Sequence, residues 1–267
     1  MKVVVFIQQI VNPQAKLEGL DYFDSSKATE DDLIINPTDK NALEGALKLK
    51  DNEGAEVTVV CASGITREKA VREAIAMGCD NGIVIEGDIY DYDPYVLAKV
   101  YAKVLEKISD YDLVLLGAEE QAKSTYATAA MLGVMINKPT VIYAEEINSK
   151  DNNTFEVSHI LEGGRKIVEM PKTGVISCSD SPYFSPRYTS MRGILKAKRA
   201  VIPKWNLDEL GLSKDEVSKE SAKLQVVSLE KIVIEKESYI LKDEEPEAMV
   251  DKLLAKLKED GIKLKGV

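Results

Sequence analysis

The sequence predicts a doubly wound parallel α/β sheet, with a small antiparallel hairpin unit and an extended C-terminal arm added to it. Three observations carry this reading. Short β-rich apolar runs alternate with helical patterns through the first half, four β-type segments without intervening helices follow residue 140, and the composition turns polar after Trp205. Runs that are apolar on both faces suit strands buried in a parallel sheet, and strand–helix alternation with short connections is how such a sheet winds.

Residues 2–10 (KVVVFIQQI), 56–62 (EVTVVCA), 82–86 (GIVIE) and 112–117 (DLVLLG) are the first four strands. Asn36-Pro37 opens the helical pattern TDKNALEGALKLKDN and Asp93-Pro94 opens YVLAKVYAKVLEKI, each pairing an N-cap residue with a proline at the first helical position. REKAVREAIAMG at 67–78 is a third helix, stopped by Gly78. TVIYAEEI, TFEVSHIL, KIVEMPK and GVISCS, joined by the polar turns SKDNN and EGGR, predict an antiparallel hairpin unit over 140–178. In the tail, KLQVVSLEKIVIEK is weakly strand-like and PEAMVDKLLAKLKEDGI is an amphipathic helix. The tail has too few apolar residues for a core of its own, so it is expected to pack on another subunit. The chain thus divides into an α/β domain over 1–184, a basic segment over 185–205 and an arm over 206–267.

At 267 residues, 45% of them hydrophobic and 30% charged, the chain has the composition of an ordinary soluble globular protein with a sizeable core. Its 35 basic and 45 acidic residues leave a net charge of −10. That balance excludes nucleic acid as the main partner, because a phosphate backbone needs a broad basic footprint. Cys61, Cys79 and Cys178 lack CxxC spacing and sit in or beside apolar runs. They read as buried small residues of a protein in the reducing cytoplasm. No run of about 18 apolar residues is present to span a membrane, and the N-terminus reads as a strand rather than a signal peptide. His159 is the only histidine and falls in a hairpin strand, where it reads as solvated or structural. Without a second histidine there is no Ser–His–Asp triad and no HExxH motif, which argues against hydrolysis driven by side chains. Any redox chemistry has to come from a cofactor.

Ligands of an open α/β sheet bind beyond the carboxyl ends of its strands, at the switch point. The segments there are residues 6–12, Cys61–Gly64 and GAEEQAKSTYATAAM from Gly117 onward. The last leaves a strand and enters a helix. Ser124, Thr125 and Thr128 offer hydroxyls, Lys123 offers charge, and the N–H groups of a helix start attract phosphate. The segment is neither a P-loop nor a GxGxxG turn, and an ordinary capped helix is the competing reading. SPRYTSMRGILKAKRAVIPKW, residues 185–205, carries Arg187, Arg192, Lys196, Lys198, Arg199 and Lys204 and no acid. A solvated helix face and a docking surface both fit such a run.

Four segments carry a resemblance to a known family: IINPTDKNALEGALKLK (34–50), AVREAIAMGCD (70–80), YDLVLLG (111–117) and, most specifically, PRYTSMRGILKAKRAVI (186–202). Together, over nearly the full length, they resemble the β subunit of electron transfer flavoproteins. The resemblance implies a Rossmann-like fold of the adenine nucleotide alpha hydrolase-like type. It also implies a heterodimer in which an α subunit holds most of a redox FAD. The β subunit would bury an adenine nucleotide of its own: AMP in simple carriers, a second FAD in electron-bifurcating ones. Cofactor-binding positions of the family fall on Phe6, Asn36, Cys61, the loop Gln121, Ala122, Lys123, Ser124, Thr125, Tyr126, Ala127 and Thr128, and on Leu132. The partner-docking segment falls on Arg187, Tyr188, Met191, Arg192, Lys196 and Lys198. Met191 stands where the family projects an apolar anchor into an acyl-CoA dehydrogenase or a related flavoprotein reductase.

Two departures are visible, one of them near the N-terminus, where IQQIVNPQ replaces the family's lysine-containing strand end followed by Pro-Asp. The family's Asp-Gly-Asp-Thr type run is Ala122-Lys123-Ser124-Thr125 here, which exchanges two carboxylates for a lysine and favours phosphate. Tyr126-Ala127, the VIPKWNLDELGL stretch and the long tail are similar to the carnitine and nitrogen-fixation branch of the family. The alternative is a stand-alone adenine-nucleotide sensor of the universal-stress type, which would lack the basic segment and the arm. A nucleotide-dependent transferase or pyrophosphatase would need an acidic metal motif or an SGGxDS-type loop, and the sequence has neither.

Overall fold

In a computed structural model the described residues are 1–12, 14, 28–63, 67–91, 93–119, 125–228, 230, 238–242 and 245–262. They divide into two units, Met1–Leu229 and Glu230–Val267. In chain order the first unit holds β1 (Lys2–Ile7), β2 (Gln9–Val11), β3 (Leu33–Ile35), α1 (Pro37–Glu53), β4 (Glu56–Cys61), α2 (Arg67–Met77), β5 (Asn81–Glu86), α3 (Pro94–Ile108), β6 (Leu113–Gly117) and α4 (Thr128–Met135). There follow β7 (Thr140–Ser149), β8 (Thr154–Leu161), β9 (Gly164–Pro171), β10 (Gly174–Cys178), α5 (Met191–Arg199) and β11 (Lys204–Asn206). The second unit contains α6 (Pro246–Glu259), the amphipathic helix expected in the tail. Lys256 ties its end to Glu259 and Asp260.

Among the described residues the main sheet has nine strands in the order β11-β5-β4-β1-β6-β10-β7-β8-β9, and β2 and β3 form a separate antiparallel pair. The strands from β11 through β7 are parallel; β8 and β9 continue antiparallel. The period-2 alternation of strands sorts the apolar residues into two cores. Val3, Val5, Val57, Val59, Leu113 and Leu115 face α1, α2 and α5. Val4, Val60, Val114 and Leu116 face α3 and α4.

The structure differs from the expected organisation in two places. GVISC is not part of the hairpin unit: β10 returns into the parallel sheet between β6 and β7, buried along its whole length. A run apolar on both faces was the local sign of this position. The arm also begins later than residue 206. β11 adds an edge strand beside β5, and Leu207, Leu210, Leu212 and Val217 are buried in the α3 core. Each such side chain contributes about 1.5–3 kcal/mol, so residues 204–217 belong to the α/β domain. Their apolar residues are isolated among polar ones, without a helical or strand period to reveal them.

Candidate functional site

The winding of the sheet reverses at β1, whose neighbours β4 and β6 lie on opposite sides. The crevice beyond β1 and β6 is therefore the expected ligand position. Asp39, in the first turn of α1, ties its walls together. Its carboxylate accepts from the Gln8 N–H just after β1 at 2.7 Å and from the Gly117 N–H at the end of β6 at 2.8 Å. The first turn of α1 also places the positive helix end around that carboxylate. Asn36 completes the knot. Although it sits at the N-cap, its side chain makes no cap bond and instead donates to Thr38 Oγ1 at 3.0 Å and to the Glu119 carbonyl at 2.8 Å. Thr38 Oγ1 donates to the same carbonyl at 2.5 Å. Gly117 is required here: a Cβ would collide with Thr38 Oγ1 and Asp39 Oδ1 and lie 2.8 Å from the Asp39 backbone nitrogen.

The loops flanking this knot carry hydroxyls without partners. Ser63 Oγ, beyond β4, and Thr125 Oγ1, ahead of α4, are buried and have no hydrogen-bond partner among the described residues. A buried hydroxyl without a partner costs free energy that a ligand's polar atoms can recover. Ala127 caps α4 with no side-chain bond, so the first N–H groups of that helix have no cap side chain. Tyr126 lies at the mouth, stacked on Tyr143 with centroids 5.5 Å apart. Hydrogen bonding to Glu119 raises the Tyr126 phenol above its ordinary pKa. Tyr143 has φ 57°, an outlier for a bulky residue, and its N–H donates to Ser177 Oγ at 3.1 Å.

The expected cofactor positions distribute unevenly. Asn36 and Tyr126 both bond to Glu119, and Thr125, Ala127 and Thr128 flank Tyr126 at the start of α4, whereas Gln121, Ala122, Lys123 and Ser124 lie outside the described residues. Three expected side chains point elsewhere. Phe6 faces the α3 core, stacked on Tyr101 at 4.0 Å, and Leu132 is buried in that core as well. Cys61 faces the opposite core, its thiol pushed up to about 12 by burial and therefore neutral. For these three, only the backbone can border a ligand. Gln8, Ser63 and Gly117 fall inside the segments expected at the switch point, whereas Thr38, Asp39 and Tyr143 were missed in the sequence. The Asn-Pro-Thr-Asp run was the available signal for two of them, since an acid in a first helical turn after a strand points at the switch point.

The basic segment is partly structural. Arg187 forks onto the buried Glu44 carboxylate at 2.8 and 2.9 Å and reaches Asp51 at 2.8 Å. Lys196 donates to the Cys79 carbonyl at 2.9 Å, and Lys204 lies 3.3 Å from both Glu68 and Glu86. Arg192, Lys198 and Arg199 are exposed on α5 and form no ion pair among the described residues. Ser190 caps α5 by accepting from the Gly193 N–H at 3.0 Å. Gly193 lets α5 press against the end of α2, because a Cβ there would strike the Ala76 carbonyl. Arg72 on α2 reaches back to the Ala197 and Ala200 carbonyls. At the helix start, Met191 is 77% and Tyr188 97% exposed.

Residues 27–210, most of the chain, match the electron transfer flavoprotein domain. The chain belongs to the electron transfer flavoprotein family. An electron transfer flavoprotein subunit beta from Syntrophomonas wolfei is 34% identical over 203 residues, 74% of this chain and 77% of the relative. Another from Thermoanaerobacterium thermosaccharolyticum is 31% identical over 197 residues, 73% of this chain and 75% of the relative. The caffeyl-CoA reductase-Etf complex subunit CarD of Acetobacterium woodii is 30% identical over 195 residues, 72% and 74% of the two chains. Membership of the electron transfer flavoprotein family makes this an electron transfer protein and sets aside the stand-alone sensor. Among the described residues no helix is long and apolar enough to cross a membrane.

Proposed function

We propose that the chain is the β subunit of a heterodimeric electron transfer flavoprotein and holds an adenine nucleotide in the crevice beyond β1 and β6. The observation that carries this is the knot of Asn36, Thr38, Asp39 and Gly117, flanked by two buried hydroxyls, Ser63 and Thr125, that lack partners among the described residues. Those hydroxyls suit a ribose or phosphate, and the first turn of α4, preceded in the sequence by Lys123 and Ser124, suits the phosphate charge. Asp39 and Asn36 serve as braces, fixing the ends of β1, β6 and α1 so that the ligand meets a preorganised wall.

FAD, held mostly by an α subunit, supplies the one- and two-electron chemistry of the complex when bound. The β-subunit ligand is AMP in a simple carrier or a second FAD in an electron-bifurcating complex. Met191 and Tyr188, with Arg192 and Lys198 around them, form the docking point for an acyl-CoA dehydrogenase or related flavoprotein reductase. The segment beyond residue 229 is the arm that packs on the α subunit. Three buried thiols suit the reducing cytoplasm as the place of work.

The test is to co-express the chain with its α subunit, release ligands from the purified heterodimer by acid, and count them. One FAD and one AMP per heterodimer identifies a simple carrier, and two FAD identifies the bifurcating type. One FAD with no further adenylate removes the nucleotide from this crevice.

A further inference from the structure

At the opposite, N-terminal end of β5 the sheet leaves an edge open. β11 pairs only with Val84–Glu86, and the Val84 N–H bonds to the Pro203 carbonyl at 2.9 Å. Alternation along the strand then turns the N–H and C=O of Gly82 toward the same side, where β11 has not yet begun. Residues 200–203 swing clear and form the outer wall of a cleft of about 810 Å³. Its apolar lining includes Ile83, Val201 and Trp205; Lys107, Lys196 and Arg199 bring positive charge to it. Val201 is 92% exposed.

Charge decides what this cleft suits. Its carboxylate, Asp80, is already engaged by Lys50 at 2.5 Å and by the Val57 N–H at 3.0 Å. Lys107 is matched by Glu209 at 3.2 Å and lies over the Trp205 ring at 4.5 Å. Lys196, which is 4.0 Å from Asp80, and Arg199 remain as excess positive charge on a molecule whose net charge is −10. Lys198 and Arg192, which form no ion pair among the described residues, extend the same sign along α5. An open strand edge supplies main-chain hydrogen bonds, an apolar wall supplies burial, and the basic rim selects against cationic occupants.

We infer that this cleft takes an extended, acidic and apolar segment of a partner protein as an added edge strand on β5. It lies at the other end of the sheet from the nucleotide crevice, so it stands or falls independently of the ligand held there. Being next to α5, it would widen a contact made by Met191 into a two-point interface. A small anion in the same cleft would use the cations but neither the strand edge nor the apolar wall.

Trp205 is the chain's only tryptophan, so its fluorescence reports on the cleft. The full chain is titrated with a capped peptide alternating glutamate and valine, with the lysine–valine peptide and inorganic phosphate as comparisons. The acidic peptide should change Trp205 emission saturably, with an affinity that falls as salt rises. Arg199→Glu and Val201→Asp, both at exposed positions, should each weaken binding roughly tenfold at unchanged melting temperature. The inference is overturned if the acidic peptide gives no response, if the lysine peptide binds as well, or if neither substitution weakens binding. Full competition by phosphate also overturns it and makes the cleft a small-anion site.

Discussion

Asp39 carries more of this site than any residue chosen for its chemistry. Its carboxylate bridges two strand ends that belong to different halves of the sheet. Asp39→Ala leaves the buried Gln8 N–H unpaired, at about 1–3 kcal/mol, and the half-buried Gly117 N–H unpaired at a smaller cost. Asp39→Asn keeps one acceptor and should lose about half as much. Gly117→Ala attacks the same knot by volume. The neighbours that would have to move are a backbone nitrogen and two hydrogen-bonded oxygens, so the strain should reach about 1–3 kcal/mol. Thermal denaturation measures the stability loss, and adenylate retained through gel filtration measures the site. Both substitutions should lower both quantities. An Asp39→Ala protein with wild-type melting temperature would show that the knot contributes nothing.

At the scale of elements, the sequence revealed what has a local pattern and hid what depends on neighbours. Apolar runs and proline-opened helices located β1, β4, β5, β6, α1, α2 and α3, because burial on both faces and capping leave marks within a few residues. Whether GVISC pairs with a hairpin or slips between two parallel strands is not written in those five residues. Nothing local in the sequence marks Asp39 as a brace, and Arg187 looked like one more docking cation. The basic segment over 185–205 now separates into two kinds of residue. Arg187→Ala strands the buried Glu44 carboxylate; the loss should be about 2 kcal/mol, less than for a fully buried pair because Arg187 is partly exposed. Met191→Ala removes an exposed side chain and should leave the melting temperature and flavin content unchanged while slowing reduction by the dehydrogenase partner about tenfold or more. Stopped-flow reduction of the co-purified heterodimer measures it. Wild-type speed in Met191→Ala sinks the anchor role.

For the whole molecule, titration sets the pH range of stability. Burial raises the Asp80 carboxyl, but hydrogen bonds from Lys50 and the Val57 N–H carry it below its ordinary value. Glu53 likewise ends low, burial being outweighed by Lys172 and Ser149. A hydrogen bond from Lys99, with others from Ser213, takes Glu216 to about 2. A carboxylate depressed in the fold contributes stability above its unfolded value, about 4, and that contribution is lost as pH falls through the folded value. The thiols act at the other end. Burial pushes Cys61 and Cys79 to about 12 and Cys178 higher still. Their contribution is intact below the unfolded value, about 8.5, and is lost as pH rises toward the folded values. Tyr111 and Tyr183, also raised by burial, join only above about 10. Urea midpoints measured from pH 2 to 11 should therefore show a plateau between about pH 5 and 8 with a loss on either side. The triple variant Cys61→Ala, Cys79→Ala, Cys178→Ala should be less stable throughout, because each substitution leaves a small cavity. Its alkaline loss should nevertheless begin near pH 10 rather than about 8.5, since the tyrosines and the carboxylate-bonded lysines Lys2, Lys150, Lys204 and Lys256, which titrate only from about 10 upward, remain to cause it. An onset unmoved by the triple substitution would assign the alkaline limb to other groups.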